Sequence, residues 1–156
     1  MPRIQDKKLL HDLLNNLPHY IFWKDRNLVF RGCNKKFAEQ FGYKNISDVI
    51  GKTDYDFPWA RNLREKYNSD DMEIINTGEA KLDYEEEQVQ LDGSIKTVLV
   101  SKVPLYDENN EITGILGIYT DISARKKMEE EIKTAKEKAE VANEELKKAQ
   151  EEKING

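Results

Sequence analysis

Apolar and polar positions near the start of the chain predict a helix followed by a hairpin. Leucines and one isoleucine recur over residues 4–17 at spacings that favour one face of a helix, and Pro18 ends this pattern. The run YIFW, a polar turn over residues 24–27 and the run LVF then predict two short antiparallel strands. We therefore expect an amphipathic helix over residues 1–18 and a β-containing domain from residue 19.

Two helices are predicted between this hairpin and the next strand. Asn34 is placed to cap a short helix that ends at Gly42, and Asp56 is placed to cap a longer helix that ends before Gly78. The acidic pair Asp70-Asp71 in the longer helix is most simply a solvated face. The apolar face of this helix would carry Ala60, Leu63, Tyr67 and Ile74.

Three further strands are predicted. The first covers residues 80–91, and Asp92-Gly93 is a strong signal for a tight hairpin into the second, over residues 95–105. A polar turn over residues 107–110 leads into the third, ITGILGIYTDI, which is apolar on both faces and therefore central or covered. Two strands, a run of helices and three strands indicate an α+β domain with an antiparallel sheet.

The last segment, residues 122–156, predicts a long solvated helix. From Met128 the apolar positions are separated alternately by four and three residues, which is the spacing of a coiled-coil seam. Four of the seven seam positions are alanine, so we expect weak self-association from this helix alone. The seam positions are Met128, Ile132, Ala135, Ala139, Ala142, Leu146 and Ala149.

Composition limits the function classes. Charged residues make up 35% of the 156 residues, and no apolar run approaches the roughly 18 residues of a membrane-spanning helix. The start MPRIQDKKLL has no apolar signal core, so we expect a cytoplasmic protein. The single cysteine, Cys33, excludes an internal disulfide and a multi-cysteine metal site, and the net charge of -5 argues against nucleic-acid binding.

The chain also lacks the sequence signs of an enzyme. It has no evident nucleophile–base pair, no glycine-rich phosphate loop and no metal-ligand spacing, so we predict no catalytic residue and no metal site.

Five segments in order resemble a PAS sensor domain with its C-terminal PAC segment, of the type that precedes the kinase core of bacterial sensor histidine kinases. They are NNLPHYIFWKDRNLVFRGCNKKFAEQFGY, VIGKTDYDF, INTG, LDGSIKTVLVSKVPLYDENNEITGILGIYTDIS and ARKKMEEEIKTAKEKAE. The resemblance covers about residues 12–127. It implies a five-stranded antiparallel sheet, helices on one face of that sheet, and a small-molecule pocket between them.

The resemblance also implies a route for the signal. Asp121, Ile122 and Ser123 stand where the family usually has an Asp-Ile-Thr triplet that connects the sheet to the output helix, and serine keeps a hydroxyl that can cap the first turn. Ala124 replaces the usual acidic residue after the triplet. The histidines, His11 and His19, both precede the domain core, so no phosphoacceptor histidine follows the helix. We expect a sensory segment that relays a ligand or another cue to a kinase-type output, or alternatively a ligand-free dimerisation module before a kinase or nucleotide cyclase.

Alternation of side chains along the strands defines a candidate pocket wall. The resemblance assigns one strand face to the interior, and that face mixes apolar with polar residues. It comprises Phe22, Lys24, Leu82, Tyr84, Glu86, Gln88, Val98, Val100, Lys102, Ile115, Gly117 and Tyr119.

Lysines on an interior face require partners. One hypothesis is that Lys24, Glu86 and Lys102 pair with one another or reach solvent at the rim of the sheet. The other is that Lys24 or Lys102 receives the carboxylate of a small polar ligand, which Gln88 and Tyr119 orient.

The opposite strand face and the N-terminal helix predict a homodimer. An apolar sheet face would not be left to water, and the leucine stripe of the helix can cover it in its own subunit or a partner's. The predicted interface contains Leu10, Leu13, Leu14, Leu17, Trp23, Leu116 and Ile118. The C-terminal coiled coil would extend this pairing.

No cofactor is predicted. A covalent flavin sensor needs a reactive cysteine on a helix, whereas Cys33 precedes Asn34 at the end of a predicted strand. A haem sensor of this family ligates iron through a histidine on the long helix, and residues 57–77 contain none. Noncovalent flavin stays open, as does an unidentified small polar ligand.

Overall fold

The computed structural model describes residues 4–57 and 61–156 and contains a five-stranded antiparallel sheet. The strands are β1 (Tyr20–Asp25), β2 (Phe30–Cys33), β3 (Lys81–Val89), β4 (Ile95–Tyr106) and β5 (Ile112–Asp121). Their order in the sheet is β2-β1-β5-β4-β3, so the first hairpin lies at one edge of the sheet and the central position belongs to β5. This α+β architecture confirms the fold class predicted from the order of elements.

Helices precede, interrupt and follow the sheet. They are α1 (Ile4–Asn16), α2 (Lys35–Gln40), α3 (Arg61–Thr77) and α4 (Ser123–Asn155), and two single-turn 3-10 helices cover Ile46–Asp48 and Asp54–Asp56. The chain forms two compact units, residues 1–121 and residues 122–156. The second unit consists of α4, a single helix of 33 residues. Among the described residues, no helix has both the length and the hydropathy that crossing a bilayer requires.

Asn34 links three elements of the first unit. As predicted, it caps α2, where its side-chain Oδ1 accepts a hydrogen bond from the backbone N–H of Phe37 at 3.1 Å. The same oxygen accepts a hydrogen bond from the backbone N–H of Ile21 in β1, and its Nδ2 donates to the carbonyl oxygen of Leu14 in α1 at 2.9 Å. This side chain is fully buried, and its contacts place α1 and α2 beside the first strand.

The predicted cap at Asp56 is wrong. Its carboxylate accepts a hydrogen bond from the backbone N–H of Thr53 at 2.9 Å, which closes the single 3-10 turn that carries Asp54. The short side chain therefore caps this local turn, which ends before residues 58–60, outside the described part of the chain. Ala60, assigned to the apolar face of that helix, lies outside the described residues.

An aromatic core fills the space between the sheet and the helices. Phe30 of β2 is 1% exposed, and its ring lies edge-on to Phe57 at 5.1 Å between centroids. Phe37 of α2 packs on Phe22 of β1 at 5.2 Å. Aromatic pairs of this kind add about 0.5–1.5 kcal/mol each to the burial of their area, so this part of the interior is well defined.

The strand alternation fails at one predicted position. Leu82 is 60% exposed, although it was assigned to the interior face. The register of β3 against β4 is irregular between Lys81 and Tyr84, and Asp83 has a positive φ of 50°. A bulge inserts an extra residue and so reverses the alternation on its N-terminal side.

Candidate functional site

A small cavity lies between the interior face of the sheet and the helices. Its volume is about 30 Å³, room for one or two water molecules. Seven of the predicted wall residues line it, namely Phe22, Lys24, Glu86, Gln88, Val100, Lys102 and Tyr119, together with Phe30, Phe37, Asp54 and Tyr67. Val98 and Ile115 are buried on the same sheet face, Tyr84 is half-buried, and Gly117 lies against the Phe22 ring, but these four do not line the cavity.

Four charged side chains form a buried ionic cluster, and three of them, Lys24, Asp54 and Lys102, line the cavity. The Nζ of Lys24 lies 2.6 Å from the Oδ2 of Asp54 and 2.6 Å from the Oδ2 of Asp71. The Nζ of Lys102 lies 2.7 Å from the Oδ1 of Asp71. None of the four side chains is more than 5% exposed. The ionic cluster, which comprises Lys24, Asp54, Asp71 and Lys102, therefore joins β1 and β4 of the sheet to α3 and to a 3-10 turn.

Asp71 and Lys102 favour each other's ionised state. Burial by itself raises the pKa of Asp71, but Lys102 and Lys24 outweigh it, and the pKa lies below its usual range. Burial by itself lowers the pKa of Lys102, but Asp71 more than compensates, and the pKa lies above its usual range. Two ammonium groups face two carboxylates, so the ionic cluster is neutral as a whole.

The structure thus supplies the lysines with partners from outside the sheet. Lys24 and Lys102 form their ion pairs with Asp54 and Asp71, and not, as one hypothesis had it, with Glu86 or with solvent at the rim of the sheet. The prediction that Asp71 belongs to a solvated helix face is wrong, since its side chain is 0% exposed. A signal for this was present in the sequence, because Asp71 follows Tyr67 by four positions and lies on the stripe that continues to Ile74.

Glu86 stands apart from the ionic cluster. It is 9% exposed, and its Oε1 has no hydrogen-bond partner within the described part of the chain. The Nζ of Lys66 lies 3.8 Å from this oxygen, on a side chain that is itself 54% exposed. Burial raises the pKa of Glu86, and Lys102 and Lys66 offset this rise only in part.

A chain of amide and hydroxyl groups closes the other end of the cavity. The Tyr119 hydroxyl donates to the Oε1 of Gln40, and the Nε2 of Gln40 donates to the Oε1 of Gln88. Gln40 lies at the end of α2 and was not singled out from the sequence, where nothing distinguishes it from a surface glutamine. The two residues predicted to orient a ligand, Gln88 and Tyr119, are therefore both linked through Gln40.

The predicted interface residues are exposed or half-buried in the single chain. Leu10 is 58% exposed, Leu13 is 52% and Leu17 is 41%. Leu14, Trp23, Leu116 and Ile118 are half-buried. An apolar groove of about 260 Å³ lies between α1 and the domain, lined in part by Leu10, Leu14 and Trp23.

The three predicted relay residues mark the end of β5 and the beginning of α4. Asp121 pairs with Val98 of β4, and its Oδ2 lies 3.7 Å from the Nζ of Lys96. Ser123 is the first residue of α4, and Ile122 occupies the cap position. Capping of the first turn by the Ser123 hydroxyl stays a prediction, for a serine that is the first residue of the helix and not its cap residue.

Comparison with known proteins identifies relatives with the same architecture. Residues 14–127 match the family model described as PAS fold. The virulence sensor protein BvgS of Bordetella bronchiseptica is 30% identical over 135 residues, which cover 84% of this chain and 11% of that protein. This chain therefore spans about a tenth of the length of the curated relatives it matches.

Solved structures agree with this assignment. VqmA bound to DPO is 26% identical, with a TM-score of 0.65 over 74% of this chain and 57% of that chain. The PAS domain of Bordetella pertussis BvgS is 21% identical, with a TM-score of 0.57 over 83% of this chain and 95% of that domain, and supports the fold. The sequence resemblance is confirmed, and the chain belongs to the PAS family of sensory domains.

Proposed function

We propose that this PAS domain is the input module of a signalling protein, which binds a small polar ligand in the interior cavity and relays its occupancy through β5 and α4 to a histidine kinase-type output. The observation that carries the proposal is the ionic cluster at the cavity wall. It places four charges where a domain with a purely structural role could place apolar side chains.

The energetics of buried charge favour a functional role for the ionic cluster. Removing ions from water costs several kcal/mol each, and replacing a buried ion pair by well-packed apolar residues is often neutral or stabilising. Apolar side chains could therefore hold the sheet against its helices at a lower cost in desolvation free energy than the ionic cluster does. Groups of this kind are more readily understood as a site whose contacts can be exchanged for those of a ligand.

Ligand entry would have to enlarge the cavity, since about 30 Å³ accommodates water alone. Asp54 is the member of the ionic cluster on the shortest element, a 3-10 turn of three residues. Separation of Asp54 from Lys24 would open the cavity while Asp71 continued to hold both lysines. A ligand that favoured this open arrangement would shift its population.

The sheet register supports a relay through β5. Lys24 pairs with Ile115 on β5, and Tyr119 at the other end of the cavity lies on the same strand. Both polar regions of the cavity thus act on the strand that ends at Asp121, two residues before α4 begins. Similarity to a sensor protein, BvgS, and to VqmA, whose structure holds DPO, supports both the sensory role and small-molecule binding.

The proposal is tested by a thermal-shift screen of small polar metabolites against the wild type and a cavity-filling variant. Val100→Leu adds one methylene group to a buried residue of the cavity wall. We expect at least one compound to raise the Tm of the wild type and to lose its effect on this variant. Ligand binding would be refuted if no compound changed the Tm of the two proteins differently, and if crystals of the wild type grown with the compounds that raise its Tm showed an unoccupied cavity.

The exposed leucines of α1 favour a second candidate, a ligand-free dimerisation module placed before a kinase or nucleotide cyclase. Leu9, Leu10 and Leu13 are each more than half exposed, a stripe suited to a second copy of the chain. Homodimerisation through α1, the outer sheet face and α4 is compatible with either candidate. The two differ in the cavity, because a ligand-free module requires no compound that acts through Val100.

A further inference from the structure

Two carboxylates line the cavity, and their situations differ. The Oδ2 of Asp54 lies 2.6 Å from the Nζ of Lys24 and is fully engaged in an ion pair. The Oε1 of Glu86 is buried and has no hydrogen-bond partner within residues 4–57 and 61–156. The Lys66 ammonium, 3.8 Å away, is beyond hydrogen-bond length and belongs to an exposed side chain.

The other polar groups of the cavity wall have partners. Lys24 and Lys102 are matched in number by the carboxylates of Asp54 and Asp71. Gln88 and Tyr119 are both bonded to Gln40. Glu86 therefore places a hydrogen-bond acceptor without a donor at the cavity wall. Its carboxylate is also additional to the two carboxylates that balance the ammonium groups of the ionic cluster.

From this imbalance we infer that Glu86 selects the ligand, and that the ligand presents an N–H donor to its Oε1, as an amide, amidine or small protonated amine does. This inference rests on the proposed ligand-binding function. It replaces the carboxylate ligand that the lysines alone suggested, since an acid in the cavity would face the carboxylate of Glu86 and would compete with Asp71 for the two lysines that Asp71 holds. A buried acceptor without a donor is unfavourable, so a donor at this position gains a hydrogen bond to a group that neither lysine of the ionic cluster holds.

The test compares three probes of nearly equal size by NMR titration of the full chain: acetamidinium, acetamide and acetate. We expect acetamidinium and acetamide to shift the backbone resonances of residues around the cavity, such as Val100 and Lys102, and acetate to leave them unchanged. Glu86→Gln keeps an acceptor oxygen but removes the charge. It should therefore raise the Kd of acetamidinium by about tenfold or more and leave the Kd of acetamide nearly unchanged.

Two control variants accompany the titration. Glu87→Gln removes the same charge from the next, exposed position of β3 and should leave all three titrations unchanged. Glu86→Leu removes both charge and acceptor and should abolish the binding of both N–H probes, which provides a second measure if the glutamine variant folds poorly.

Each alternative outcome overturns the inference. Acetate binding at the cavity as tightly as acetamide would leave ligand binding intact but refute selection by Glu86. If none of the probes shifts the cavity resonances, Glu86 is solvated rather than ligand-binding, and the inference is refuted. The proposed function is decided separately, by the metabolite screen with Val100→Leu.

Discussion

The Nζ of Lys24 lies 2.6 Å from the Oδ2 of Asp71, between two side chains that are 2% and 0% exposed. This pair joins β1, near one edge of the sheet, to α3, and the second oxygen of Asp71 holds Lys102 on β4. A single carboxylate therefore bridges two strands that are separated by β5. A change in the position of this carboxylate would therefore alter contacts of both strands that flank β5, the strand that precedes α4 in the chain.

Asp71→Asn should destabilise the domain strongly. The amide leaves two buried ammonium groups with one carboxylate between them, and an unpaired buried charge costs far more than the pair contributes. We expect the free energy of unfolding to fall by about 3–5 kcal/mol. Urea denaturation followed by circular dichroism measures this directly.

Asp70→Asn is the matched control, at the neighbouring position of the same helix. The Asp70 carboxylate lies 3.7 Å from the Nζ of Lys81, and the two side chains are 16% and 46% exposed, so solvent partly screens this pair. We expect a loss below about 1 kcal/mol. Equal effects of the two substitutions would mean that the ionic cluster does not hold the sheet to α3.

Glu86→Gln should stabilise the domain at neutral pH. Because burial raises the pKa of Glu86 above its ordinary value of 4.5, the folded state holds the proton more tightly than the unfolded state. The stability contribution linked to this proton is fully present below that ordinary value and is lost as the pH rises through the folded pKa. Glutamine does not titrate and so loses no stability as the pH rises. The free energy of unfolding of Glu86→Gln should therefore exceed that of the wild type most at neutral pH.

The measurement is the difference in free energy of unfolding between Glu86→Gln and the wild type as a function of pH. It should decrease as the pH falls and become independent of pH below about 4.5, where the carboxyl group is protonated in both states. A variant that is less stable than the wild type at pH 7 would show that Lys66 and Lys102 stabilise the carboxylate more than burial penalises it.

The interior face of the sheet was predictable, because alternation along a strand depends only on local geometry. Lys24 and Lys102 could be assigned to that face from their positions in β1 and β4. The period of a helix contained equivalent information about Asp71, which lies on the stripe of Tyr67 and Ile74. An acidic residue on an apolar stripe, opposite lysines on a buried sheet face, is thus a recognisable pattern.

Other parts of the site could not be predicted in the same way. Asp54 reaches Lys24 across 30 positions of sequence, from a turn whose orientation depends on packing around Phe57 and not on a repeating pattern. Gln40 lies at the end of α2, where its direction depends on how that helix meets the sheet. The bulge near Asp83 required a positive φ at a non-glycine residue, which is uncommon and gives little sequence signal.

Gly114 and Gly117 should be the least replaceable residues of β5. A Cβ at Gly114 would lie 1.9 Å from the backbone oxygen of Lys24, and a Cβ at Gly117 would lie 2.2 Å from the Phe22 ring. We expect Gly117→Ala to cost about 1–3 kcal/mol and Gly114→Ala to cost more, because a side chain can rotate whereas the paired backbone of β1 cannot. Thermal unfolding of both variants checks this order, and a neutral Gly114→Ala would contradict it.

The leucine stripe of α1 should control self-association. Leu10 and Leu13 are 58% and 52% exposed, so replacing both by aspartate removes little packing within one chain but places charge on the surface that a second copy would cover. We expect the double variant to shift sedimentation equilibrium towards the monomer by about tenfold or more in Kd, which corresponds to roughly 1.4 kcal/mol or more. Leu91→Asp, at a residue that is 56% exposed near the Asp92-Gly93 hairpin, introduces a charge away from α1 and should leave association unchanged. If the wild type is monomeric at high concentration, or if both proteins associate equally, the predicted dimer does not form through α1.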